Sequence, residues 1–161
     1  MTDHAAAPVR LADYRPPAWT VESVALVIDL DRDASEVEAT LSLRCDEPGA
    51  LLRLDGEDLE LLAIALDGRA LGAAEYAQDL TGLSVEAARG LSTATLRTRV
   101  RLRPAANTRL EGLYASGSLL LTQCEAEGFR RITFFVDRPD VQARWRTTLR
   151  ADRARFPVLL A

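Results

Sequence analysis

Thr93-Ala94-Thr95-Leu96-Arg97-Thr98-Arg99-Val100-Arg101-Leu102-Arg103 is the most regular stretch of the chain. Ala94, Leu96, Thr98, Val100 and Leu102 fall on one side, and Thr95, Arg97, Arg99, Arg101 and Arg103 on the other. That two-residue period is a strand with one face in a core and one in water. A single wet face implies an antiparallel sheet, because parallel sheets are covered on both faces. Pro104, with no N–H to give to a ladder, ends the strand. The arginine row admits two readings, a nucleic-acid stripe or a solvated outer face. No aromatic is interleaved for a base to stack upon, which favours the outer face.

Upstream, the period recurs. Between Trp19 and Asp31, Val24, Leu26, Ile28 and Leu30 share one side and Ser23, Ala25, Val27 and Asp29 the other. After a turn at Asp31-Arg32-Asp33-Ala34-Ser35, Val37, Ala39, Leu41, Leu43 and Cys45 point inward, so the two runs form a hairpin. Pro48-Gly49 turns the chain, Leu51 to Leu54 is a short strand, and Gly56 separates it from Leu59 to Leu66. Asp67-Gly68 is a primed-turn signal that returns the chain through Arg69-Ala70-Leu71. Gly72 to Thr81 reads as irregular, and Leu83 to Ala87 as a strand. Residues 1 to 13, Ala-rich and without periodicity, read as a flexible N-terminal arm ahead of a domain spanning 14 to 161.

Downstream lies the segment with chemical content. Leu119-Leu120-Leu121 is read as an apolar run leaving the interior for Thr122-Gln123-Cys124-Glu125-Ala126-Glu127-Gly128, where an amide and two carboxylates crowd together. A carboxylate at the end of a buried strand is a candidate receptor for an ammonium group, through charge-assisted hydrogen bonds of about 1.5–3 kcal/mol each. The plain alternative is a pair of solvated loop acids. Ile132 to Val136 is β-rich, Asp137 is positioned to cap a helical turn from Arg138 to about Arg144, and Trp145 to Ala151 forms a last strand. Phe156 to Leu160 reads as the start of another, leaving a bare strand edge. The whole is all-β, an antiparallel β-sandwich or saddle with one short helical turn.

Asn107-Thr108, Leu110-Glu111-Gly112-Leu113-Tyr114, Ser116-Gly117, Thr122 to Arg130, Ile132-Thr133, Asp137-Arg138-Pro139-Asp140-Val141 and Ala143-Arg144 together resemble the N-terminal domain of bacterial aminopeptidase N, the zinc-dependent alanyl aminopeptidase family. Weaker echoes run from Asp13-Tyr14-Arg15 to Leu159-Leu160. The resemblance implies a saddle-like β domain packed on a thermolysin-like catalytic domain that lies outside this chain. It implies zinc in the full-length parent and removal of N-terminal residues from peptides. By position, Glu125 would bind the substrate's α-amino group and Gln123 would line the pocket for the first side chain. The chain stops where the family continues through a hairpin, which reads as a C-terminal truncation, engineered or natural.

Composition sets the outer limits. With 161 residues, 48% hydrophobic and 27% charged, the chain suits one soluble globular domain. No apolar run approaches the ~20 residues of a membrane span. The opening Met1 to Pro8 has no secretory pattern, so a cytoplasmic setting is expected. Cys45 and Cys124 are far apart and in no metal-ligand spacing; they read as buried thiols rather than a disulfide. All 20 basic residues are arginine, and the net charge of −4 gives no support to a nucleic-acid or membrane-surface binder. From Arg130 onward arginine outnumbers acid, as an outward-facing, acid-paired set or as a surface for an acidic partner.

Zinc hydrolysis of this kind needs two histidines a helical turn apart, a carboxylate ligand and a glutamate base. The single histidine is His4, and no His-Glu-x-x-His helix is present. The chain by itself should therefore be inert and carry no metal. Its expected partners are a peptide N-terminus and the catalytic domain of the same polypeptide. The competing reading is a non-catalytic β-sandwich adaptor for a peptide or a protein.

Overall fold

The computed structural model describes residues 10–160. Of the expected arm, residues 1–9 lie outside the described residues, and Leu11–Asp13 form a short 3-10 turn. Eleven strands follow: β1 (Trp19–Leu30), β2 (Ser35–Cys45), β3 (Leu52–Asp55), β4 (Glu60–Leu66), β5 (Arg69–Ala70), β6 (Tyr76–Asp79), β7 (Gly82–Val85), β8 (Thr93–Leu102), β9 (Gly112–Ser116), β10 (Leu119–Gln123) and β11 (Arg144–Ala151). They make a six-stranded sheet in the order β11-β1-β2-β8-β4-β5, a three-stranded sheet β3-β7-β6 and the hairpin β9-β10.

The β8 reading holds in register. Val37, Ala39 and Leu41 of β2 lie opposite Val100, Thr98 and Leu96, all buried, while Glu36 and Glu38 lie opposite Arg101 and Arg99 on the outer face. The arginines are not a free stripe. Arg97 pairs with Glu38, Arg101 with Glu36 at 2.9 Å and Glu60 at 3.1 Å, and Arg103 with Glu60 at 3.7 Å. Beneath them the inner face meets Leu52 and Leu54 of β3, Leu83 and Val85 of β7, and Phe134 in one continuous core.

Asp67 and Gly68 both take positive φ, 50° and 82°, as the turn between β4 and β5 requires. The Asp67 carboxylate also accepts from the Thr95 N–H at 2.7 Å, tying the turn to β8.

Several local expectations give way. The period of β1 changes phase at a bulge between Val21 and Ser23, so Trp19 and Val21 are buried ahead of Val24. Tyr76–Asp79 is a strand, not irregular, because the Arg53 guanidinium holds Asp79 at 2.8 and 2.9 Å and Gln78 donates to the Leu59 carbonyl. β11 runs parallel to β1, the one parallel pairing of the large sheet. No helical turn spans Arg138 to Arg144; the 3-10 turn of this region is Phe129–Arg131. Phe156–Leu160 is not a strand but irregular chain that lines one groove with Leu30, Leu119 and Leu149, and the edge strand at this end of the large sheet is β11.

Candidate functional site

The loop with Gln123 and Glu125 hangs from the β9-β10 hairpin, in which Gln123 pairs with Gly112. The run feeding it is not interior: Leu119 is 59% exposed and Leu121 39%. Three consecutive leucines in a strand must point to alternate faces, and only Leu120 turns toward the core. The carboxylate is therefore carried by an exposed hairpin rather than by the end of a buried strand.

Past Cys124 the chain closes a tight turn, the Gly128 N–H donating to the Cys124 carbonyl at 2.9 Å. The Glu125–Ala126 peptide within it is cis. Gly128 is obligatory on space: a Cβ there would stand 2.7 Å from the Gln123 carbonyl oxygen and 2.9 Å from Cys124 Cα. Cys124 is half-buried and free of any disulfide, as is Cys45. Burial first, and the Asp137 charge second, push the Cys124 thiol pKa up.

Gln123 and Glu125 both reach solvent at the tip. The Gln123 amide nitrogen lies 3.5 Å from the Glu125 backbone carbonyl, a weak contact within the turn that leaves the Glu125 carboxylate uninvolved. The two acids differ in company. Glu127 sits 3.1 Å from Arg130, whereas among the described residues the Glu125 carboxylate has no cation or side-chain donor beside it.

What holds the loop comes from distant parts of the chain. Phe129–Arg131 follows directly, and its two arginines run into a bank of acids. Arg130 binds Asp137 and approaches Glu127 and Glu57, while the buried Arg131 meets Glu57, Asp58 and, at 3.1 Å, Glu111. Asp55 and Phe135 exchange backbone hydrogen bonds, and the Glu57 N–H donates to the Arg130 carbonyl, so the end of β3 is stitched to the segment under the loop. Phe129 stacks edge-on against Phe135 and Trp145, with centroids 5.2 and 5.1 Å away. Asp137 is thus no helix cap, and Ile132 to Val136 is a buried connection bridged to β3 through Phe135 rather than a strand. The sequence signal available was the Arg130-Arg131 pair beside Phe129; its partners lie far back in the chain and no local rule names them.

The groove of about 400 Å³ beside β8, lined by residues such as Asp58, Glu60, Arg103 and Arg109, includes neither Gln123 nor Glu125. Among the described residues no group of three or more His, Cys, Asp or Glu is placed to hold a metal ion. No helix among them is long and apolar enough to cross a membrane.

Comparison with known proteins gives one answer. The family model of the peptidase M1 N-terminal domain matches residues 16–160. Aminopeptidase N of Caulobacter vibrioides is 46% identical over 157 residues, 95% of this chain and 18% of that protein. Aminopeptidase N of Escherichia coli is 41% identical over 150 residues, 92% of this chain and 17% of that protein. The crystal structure of Legionella pneumophila aminopeptidase A in complex with aspartic acid superposes with a TM-score of 0.85 at 31% identity, over 94% of this chain and 18% of that one. An M1 zinc metallopeptidase from Deinococcus radiodurans shares the fold at 20% identity and a TM-score of 0.70, over 83% of this chain and 32% of that one. The chain therefore spans under a fifth of the length of its curated relatives. An all-β domain, matched over nearly its whole length by one model and by proteins of one kind, belongs to the peptidase M1 N-terminal domain family.

Proposed function

We propose that this domain serves a zinc aminopeptidase by recognising the free amino end of the substrate, with Glu125 binding the α-ammonium and Gln123 lining the pocket for the first side chain. The observation that carries the reading is the difference between the loop's two acids. Glu127 is matched to Arg130, while Glu125 projects from the same braced turn with no cation of its own among the described residues. A carboxylate so placed can exchange water for an ammonium at small cost, and a charge-assisted pair contributes about 1.5–3 kcal/mol.

Zinc, by family, belongs to the parent's catalytic domain; the described residues here offer it no ligand cluster. This domain would bind and orient, and perform no bond-breaking step. Holding the amine at a fixed point presents the first peptide bond and no other, which makes the parent an exopeptidase. Positioning of this kind is steep, since a displacement of about 1 Å can cost on the order of a hundredfold in rate. The working partners are a peptide N-terminus and the catalytic domain of the same polypeptide, in the cytoplasm.

The test is hydrolysis of an alanyl chromogenic substrate by the full-length polypeptide carrying Glu125→Ala. A fall in kcat/KM of at least about tenfold is expected, the value of one such pair. Unchanged kcat/KM removes Glu125 from the site; a full-length polypeptide with no peptidase activity at all supports the adaptor reading instead.

A further inference from the structure

The loop that carries Glu125 is fastened at its far end by two side chains. The Asp137 carboxylate accepts from the Arg130 backbone N–H and from its Nε, each at 3.0 Å, and the same guanidinium donates to the Asp137 carbonyl at 2.9 Å. It also reaches back to Glu127, 3.1 Å away. Asp137 is anchored in turn, its own N–H donating to the Asp55 carboxylate at 3.0 Å. A continuous path of polar contacts thus runs from β3 through Asp137 and Arg130 to the loop.

This pair differs in kind from the exposed pairs of the outer face. The Arg130 and Asp137 side chains are 18% and 10% exposed, against 59% and 31% for Arg97 and Glu38. Exposed pairs are worth little, because water and salt compete for both ends. A pair shielded this far, with further hydrogen bonds to backbone, holds its geometry. At the near end the loop is held by the Gly128 N–H to Cys124 carbonyl bond, the weak Gln123 to Glu125 carbonyl contact and the hairpin.

We propose that Arg130 and Asp137 are positioning residues for amine recognition, fixing the Cys124–Gly128 turn so that Glu125 presents its carboxylate at one place. The assignment rests on Glu125 as the amine receptor. Neither residue touches substrate; both act through the loop.

A double-mutant cycle on the full-length polypeptide tests this, with kcat/KM on an alanyl chromogenic substrate and Tm measured for Asp137→Asn, Glu125→Gln and the double variant. Asp137→Asn keeps the shape but removes the negative charge that faces Arg130, and should lower kcat/KM by about ten- to a hundredfold, as a misplaced positioning group does. In the Glu125→Gln background the same change should cost no more than about threefold, because there is no longer a carboxylate to aim. Losses that multiply in full overturn the positioning role while leaving Glu125 in place. Full activity of Glu125→Gln alone overturns the amine reading itself, and positioning with it. Should Asp137→Asn fold poorly by Tm, Arg130→Gln, which keeps the backbone bond to Asp137, carries the same cycle with the same expected coupling.

Discussion

Glu125 and Glu127 are two residues apart, chemically identical, and assigned different work by their neighbours. Glu127 spends its charge on Arg130; Glu125 does not. Both acids, and Gln123 with them, stand out in the sequence because a dense polar motif after an apolar run is a local signal. Spacing alone does not rank the two acids; the family resemblance singles out Glu125, and the structure adds that Arg130 turns to Glu127. Gly128 was legible only as a loop end, yet its reason is steric: Gly128→Ala would drive a Cβ against the Gln123 carbonyl. We expect that substitution to lower kcat/KM of the full-length polypeptide by at least about tenfold through displacement of the loop, with a modest fall in Tm; unaltered kinetics would show that the turn tolerates the shift. Within the core, the Thr98 hydroxyl is buried and has no hydrogen-bond partner among the described residues. Thr98→Val keeps the shape and removes that desolvated group, so urea unfolding should report a gain of about 1 kcal/mol.

Strands were legible where one face is wet and the other dry, and illegible where a distant partner makes the strand. β2 and β8 follow their alternation residue by residue. β6 does not: Tyr76–Asp79 is exposed on most of its length and exists by pairing with β7 and through the Arg53–Asp79 clamp. β10 is the opposite case, three leucines in a row of which only Leu120 turns inward. The clamps of this region carry a pH signature. Asp79 is held well below the ordinary carboxylate range, first by its hydrogen bonds with Arg53 and then by the Thr81 N–H and hydroxyl. Glu75 is lowered from 4.5 to about 2, first by Arg69 and then by the Gly72 N–H. A carboxylate whose folded pKa is depressed stabilises the fold fully above its unfolded value, and that stabilisation is lost as pH falls through the folded one. Stability by urea titration should therefore be level from about pH 7 to 5 and decline from about 4 to 2. Asp79→Asn should be less stable at neutral pH and show a shallower decline; an equally steep one would place the acid sensitivity elsewhere.

At the scale of the whole molecule, ionic contacts divide by exposure. The outer-face ladder keeps water on both its signs, and Arg97→Ala should change stability by less than about 0.5 kcal/mol. Arg131 is different: its side chain is 7% exposed and faces Glu57, Asp58 and Glu111. Removing a buried partner commonly costs about 3–5 kcal/mol, but Asp58 and Glu111 remain 76% and 53% exposed and can rehydrate. Arg131→Met should thus cost about 2 kcal/mol, a fall in Tm of roughly 6 °C for a domain of this size. A shift within error would mean that the cluster is neutral to stability. The fold class was legible because alternation and turn residues repeat along the chain. The brace beneath the loop was not, because Glu57 and Asp58 lie more than seventy residues before the arginine they bind, and Asp55 lies 82 before Asp137. A structure of the full-length polypeptide with a free-amine inhibitor bound is the most direct test of Glu125. The account predicts a Glu125 carboxylate oxygen within about 3.2 Å of the inhibitor's amine nitrogen; an inhibitor amine bound elsewhere, with Glu125 turned to solvent, would contradict it.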